Sequence, residues 1–195
     1  MPNVKLAEWF ADANMDDTAT VGGKGASLGE MFQKLSEIGV KVPNGFTLTT
    51  AAFKQFIDAE IPETTWNNIG APEDIEDLRN AAINCSTLAS ALEICLRDAD
   101  PKDHLNLNSR ATLARSLVRE TPVPDEIKLV IAREYSKLCE LYQPGVDVAV
   151  RSSATTEDSA EASFAGQYES YLNVSGEQDI IEKWRRCVAS MFTER

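Results

Sequence analysis

Large apolar residues recur along the chain with two periods, and these mark out helices and strands. Leu28, Met31, Phe32, Leu35 and Ile38 fall at i, i+3, i+4, i+7 and i+10, a one-sided stripe that predicts a helix. Gly39 ends it and Pro43 follows, the usual stop signal. Asn44–Gly45 reads as a turn into a short strand, FTLTT, and AAFKQFIDAE as a short helix closed by Ile61–Pro62. Ile127, Val130, Ile131, Tyr135, Leu138, Cys139 and Tyr142 line one face of another helix. Asp125 and Glu126 favour its N-terminal end through the helix dipole, and Pro144–Gly145 stops it.

The period then changes to two. Val146, Val148 and Val150 alternate with Asp147, Ala149 and Arg151, the pattern of a half-buried strand. YESYLNV reads as a second strand, and EQDIIEKWRRCVASMFTER as an amphipathic helix with Ile180, Ile181, Trp184, Val188, Met191 and Phe192 inward. Residues 63–122 carry only helical patterns, among them Ile75, Leu78, Ala82, Ile83, Leu88, Leu92 and Leu96, and read as a helical insertion or cap. The expected fold is α+β: strands near 45–50, 146–152 and 168–174 in one small mixed or antiparallel sheet, flanked by helices.

Composition narrows the function classes. A chain of 195 residues, 43% apolar and 26% charged, is long enough for a core and ordinary for a globular protein. Its net charge of −12 disfavours nucleic acid and anionic membrane as partners, since both are polyanions. A phosphate ligand would need a local positive spot in a negative field. No apolar run approaches the ~18 residues of a membrane span. The start, MPNVKLAEWFADANMDD, has no basic stretch followed by an apolar one, so a cytoplasmic location is expected. Cys85, Cys95, Cys139 and Cys187 are widely spaced and read as reduced packing residues, with no metal site expected. His104, the single histidine, sits in the polar stretch DADPKDHLNLN and reads as solvated surface.

Two stretches carry candidate chemistry. VGGKG is a glycine-rich turn opening a helix, a place where backbone N–H groups and Lys24 can meet a phosphate. It is neither a Walker P-loop, because Gly25 follows Lys24, nor a dinucleotide fingerprint, because position 28 is Leu. The plain alternative is a tight turn with an exposed lysine. In VRSSATTEDSAEASFAGQ, Arg151 stands where a strand ends, able to fork onto phosphate oxygens or stack on a purine. The loop after it is made of small residues apart from Phe164, with Gly166 tolerating unusual dihedrals, so its backbone can approach a ligand. Its plain alternative is a disordered acidic loop. Glu157, Asp158 and Glu161 would repel phosphate and are expected to face solvent or chelate a cation.

In this order, VGGKGASLGEM, VPNGFTLTTAAF and VRSSATTEDSAEASFAGQYESYLNV resemble the N-terminal nucleotide-binding region of the phosphoenolpyruvate synthase (pyruvate, water dikinase) family. That region is the first part of an ATP-grasp domain, shared with pyruvate phosphate dikinase and rifampicin phosphotransferase. The resemblance covers about residues 8–60 and 123–195, and implies one partial ATP-binding domain over 1–195 with 63–122 inserted in it. It implies ATP and Mg2+ as cofactors. Lys24 matches the lysine that contacts ATP phosphates, Arg151 the nucleotide-binding arginine, and Gly166 the glycine-rich lid over the phosphates. Ser170 stands where relatives usually carry threonine, and Ala160 where a proline is common.

The family's reaction converts ATP, pyruvate and water to AMP, phosphoenolpyruvate and phosphate through a phosphohistidine carrier and a pyruvate-binding barrel. His104 lies outside the carrier motif, and no barrel is present, so no catalytic residue is expected here. The magnesium-binding carboxylates are expected beyond Arg195, pyruvate would be met only through other domains, and the chain reads as a fragment inactive alone. An apolar face left where the rest of the domain would pack is expected to favour self-association. Two other functions share these motifs: a rifampicin-type antibiotic phosphotransferase, and a non-catalytic ATP-grasp relic or interaction module.

Overall fold

A computed structural model describes residues 4–70, 73–155 and 169–192. The elements in chain order are β1 (Ala7–Trp9), α1 (Thr18–Glu37), β2 (Phe46–Leu48), α2 (Thr50–Ile57), α3 (Glu76–Ala82), α4 (Leu88–Leu96), α5 (His104–Glu120), α6 (Asp125–Leu141), β3 (Val148–Arg151), β4 (Ser170–Val174) and α7 (Glu177–Ala189). The chain divides into two compact units. One joins the residues up to Lys54 with Asp125–Trp184, and the other joins Gln55–Pro124 with the residues from Arg185 onward.

In the first unit, α1 closes with paired terminal hydrogen bonds. Gly39 N–H donates to Ser36 C=O and Val40 N–H to Leu35 C=O, both at 3.0 Å, with Gly39 at φ 82°. Only glycine takes that left-handed turn without a Cβ penalty. The apolar stripe of α1 is only partly buried. Met31 and Ile38 are 47% and 73% exposed, whereas Val21, Gly22, Gly23, Gly25, Ala26 and Gly29 are buried. The reason is close backbone approach: a Cβ on Gly29 would stand 2.3 Å from Ala13 C=O, and one on Gly25 2.9 Å from Thr47 Oγ1. The helix packs closely through its glycines, while Leu28, Phe32 and Leu35 are half-buried and Met31 and Ile38 stay outside.

The antiparallel α+β architecture is present, but among the described residues its strands form two separate two-stranded sheets, β1–β2 and β3–β4, instead of one. The 45–50 strand pairs with β1, in register Ala7↔Leu48, Glu8↔Thr47 and Trp9↔Phe46. Three residues, AEW, are too few to show an alternation, so β1 left no periodic signal. The Trp9 and Phe46 rings meet across this ladder at 6.1 Å, tilted 46°. In the other sheet Val148↔Val174 and Val150↔Tyr171 differ in register by one residue. The extra residue is absorbed in β4 beside Asn173, at φ 55°, a conformation asparagine tolerates better than most side chains.

Helix α6 ties both sheets together. Its Ile127, Val130, Ile131, Tyr135 and Leu138 are buried, as their spacing predicts, while Tyr142 stays 47% exposed. The Tyr135 hydroxyl donates to Val146 C=O and accepts from Gly176 N–H, each at 3.0 Å, fixing the chain before β3 and after β4. Tyr142 accepts from Asn44 N–H at 2.6 Å, fixing the turn before β2. Glu134, buried, accepts from Trp9 Nε1 at 2.7 Å and so joins α6 to β1.

The second unit is helical, with Phe56, Ile75, Leu88, Leu113 and Leu117 fully buried. Thr87 and Ser90 form a reciprocal cap at the start of α4. Arg110 donates to Cys95 C=O and Arg97 C=O at 3.1 and 2.7 Å, tying α5 to the end of α4. Cys95 and Cys187 are buried, Cys85 and Cys139 half-buried, and no disulfide joins any of them among the described residues. Burial pushes the Cys95 thiol up to about 12, which leaves it an inert packing residue. His104 is the exposed first residue of α5. No helix among the described residues is long and apolar enough to cross a membrane.

Candidate functional site

The GGKG turn interrupts its own helix. Gly22 lies at φ 74°, ψ 168° inside α1, a combination reserved for glycine, so the helix breaks there and starts again at Gly23. The break brings the turn against the chain that leaves β3. Gly23 N–H donates to Ala154 C=O at 3.0 Å. The Ser153 hydroxyl donates to Val21 C=O at 2.7 Å and accepts from Gly25 N–H at 2.8 Å. A Cβ on Gly22 would stand 2.2 Å from the Ser153 carbonyl oxygen, so the contact is backbone against backbone.

Lys24, half-buried, is therefore held between two glycines whose amides both bond to the segment just after Arg151. Arg151 is exposed and ends β3. Its cross-strand partner is Ser170, the first residue of β4. Directly opposed residues of an antiparallel ladder project to the same face, so guanidinium and hydroxyl share one side of this sheet. Three of the four candidate residues thus lie on backbone segments that touch: Lys24 in the glycine turn bonded to Ser153 and Ala154, Arg151 two residues before Ser153, and Ser170 opposite Arg151 in the ladder. The fourth, Gly166, lies outside the described residues, as do Ala160, Glu157, Asp158 and Glu161.

Two residues of this junction escape a reading based on charge. Ser153 and Gly22 carry no charge, yet together they make the join. The available signal was the coincidence of a doubled glycine before Lys24 and two small hydroxyl residues after Arg151. Ser152 is different: it is buried, and its Oγ has no hydrogen-bond partner among the described residues. Among the described residues no group of three or more His, Cys, Asp or Glu could hold a metal ion.

The arrangement carries two cations and a hydroxyl on hydrogen-bonded backbone segments, with the helix resuming after the break at Gly22. That set suits an anionic ligand with several oxygens. Comparison with known proteins agrees in kind. The family described as pyruvate phosphate dikinase, AMP/ATP-binding domain, matches residues 18–195. A phosphoenolpyruvate synthase of Synechocystis sp. is 41% identical over 195 residues, covering 97% of this chain and 21% of that protein. One from Aquifex aeolicus is 37% identical (97% of this chain, 19% of that protein), and one from Pyrococcus furiosus 36% identical (98% and 24%). The chain spans about a fifth of the length of these curated relatives.

Proposed function

The chain belongs to the pyruvate phosphate dikinase AMP/ATP-binding domain family, and from that premise we propose that it is the ATP-binding portion of a phosphoenolpyruvate synthase. The parent reaction would take ATP, pyruvate and water to AMP, phosphoenolpyruvate and phosphate, with the histidine carrier and the pyruvate site supplied by other parts of the enzyme. Lys24 and Arg151 would neutralise and position the triphosphate, Gly166 would belong to the lid over it, and the Ser170 hydroxyl would add a hydrogen bond. This is the electrostatic and orienting work that phosphoryl transfer requires. The helical stretch 63–122 is read as an insertion within the one nucleotide-binding domain.

One observation supports the reading above others. The turn carrying Lys24 and the strand end carrying Arg151 are joined through Gly23–Ala154 and Gly25–Ser153 hydrogen bonds, although 128 residues separate Gly25 from Ser153. Magnesium would arrive with the triphosphate, and the described residues offer no carboxylate cluster for it. A cytoplasmic location belongs to the same proposal. So does self-association with a second copy through an exposed apolar face.

The test is equilibrium binding of ATP with and without magnesium. Lys24→Ala and Arg151→Ala are each expected to weaken ATP by about tenfold or more, the value of a charge-assisted phosphate contact. Parent-like affinity in both variants would remove these residues from the site.

A further inference from the structure

We propose that Ser153 is the positioning residue that keeps Lys24 in register with Arg151, an inference resting on the phosphate-binding reading above. The two cations come from distant parts of the chain, 127 positions apart. A shared site requires their backbones to be held together. Ser153 is placed to do so, because one hydroxyl donates to Val21 C=O and accepts from Gly25 N–H, gripping the turn on both sides of Lys24. The neighbouring Gly23–Ala154 bond runs from backbone to backbone and can set only one side. Gly22 completes the device: with no Cβ it lets the Ser153 carbonyl occupy the space a side chain would take.

Ser153 lies two residues after Arg151, so the grip passes to the guanidinium through a short length of chain anchored in the β3–β4 ladder. Without the hydroxyl, Gly25 N–H and Val21 C=O lose their partner and the turn is free to pivot on Gly23. Each cation would then still attract phosphate, but not both at the spacing of one polyphosphate. The dependence should appear in the polyphosphate contribution to binding and vanish for the nucleoside.

The experiment titrates this chain with ATP, inorganic tripolyphosphate and adenosine, followed by amide NMR, which detects weak binding. In Ser153→Ala, tripolyphosphate and ATP are expected to bind about tenfold more weakly, one phosphate contact being lost from register. Adenosine shifts should be unchanged and exchange of the Gly25 amide faster. The double variant Lys24→Ala/Ser153→Ala should bind no more weakly than Lys24→Ala alone, since Ser153 acts through Lys24. Ser153→Thr, which retains the hydroxyl, should bind as the parent does, and it carries the test if the alanine variant does not fold. Parent-like tripolyphosphate binding in Ser153→Ala, full additivity with Lys24→Ala, or a folded Ser153→Thr with tenfold weaker binding each overturns the proposal. If Lys24→Ala and Arg151→Ala also bind tripolyphosphate like the parent, the phosphate reading itself falls. If they lose it while Ser153→Ala does not, only the positioning role falls.

Discussion

The carbonyl oxygen of Ser153 occupies the place a Cβ on Gly22 would need, 2.2 Å from its ideal position. Gly22 is also at φ 74°, ψ 168°, where side-chain-bearing residues are strained. Gly22→Ala therefore combines strain with a backbone clash that no rotamer relieves. It should destabilise the first unit by at least the roughly 1–3 kcal/mol of the strain alone, read by urea unfolding. An alanine variant as stable as the parent would mean that the turn does not lie against Ser153.

The adjacent serines should respond in opposite ways. Ser153 uses its hydroxyl twice, whereas the buried Ser152 Oγ has no protein partner among the described residues. Leaving a hydroxyl buried and unpaired costs about 1–3 kcal/mol. Ser152→Ala removes that cost and should leave stability unchanged or raise it by up to about 1 kcal/mol, measured as a shift in the urea midpoint. A clear loss of stability would reveal a partner for that hydroxyl.

Arg151 and Ser170 stand opposite one another in the β3–β4 ladder. Ser170→Asp would place a carboxylate against the guanidinium, a cross-strand pair worth about 0.2–1 kcal/mol to the fold. The same carboxylate would compete with phosphate for Arg151. The expected outcome is unchanged or slightly higher stability with ATP affinity about tenfold lower, the value of one charge-assisted bond. Calorimetric titration beside thermal unfolding separates the two effects. Equal ATP affinity in parent and variant would take Arg151 away from the phosphates.

Glu134 makes stability depend on acid. Burial alone would raise its pKa, but hydrogen bonds from Lys137, Trp9 and Arg133 outweigh burial and hold the carboxyl below the ordinary range. A carboxyl depressed on folding contributes stability above its unfolded value, about 4.3, and loses it as pH falls through the folded value. Arg133 and Lys137 are 63% and 50% exposed, so solvent screens part of their attraction. Glu134→Gln should cost about 1–3 kcal/mol near neutrality and flatten the fall in stability between about pH 5 and about pH 3. Urea unfolding across that range decides it: identical pH slopes in parent and variant would mean that Glu134 is not the group responsible.

Much of this was legible in the chain where large side chains decide the packing. The α6 stripe is buried where its spacing places it, from Ile127 to Leu138, and the alternation through Val148 and Val150 marks β3 with Arg151 at its end. What stayed hidden depends on the absence of side chains. The fully buried residues of α1 are Val21, Ala26 and its glycines, so the periodicity of Leu28, Met31, Phe32, Leu35 and Ile38 identified the helix without identifying its most buried face. β1 was hidden because its partner is set by Trp9–Phe46 and Trp9–Glu134 contacts made far away in sequence. At the site, charge pointed to Lys24 and Arg151, while the uncharged pair that joins them, Gly22 and Ser153, shows its role only once the two motifs touch.

The GGKG turn and the end of β3 are proposed to form a single phosphate-binding surface. Mapping amide shifts across the chain during an ATP titration tests it most directly. Gly23, Lys24 and Gly25 are expected to move together with Arg151, Ser152, Ser153 and Ala154, along one saturation curve, and tripolyphosphate is expected to reproduce the pattern. Saturable shifts confined to only one of these two segments, or centred on neither, would contradict it.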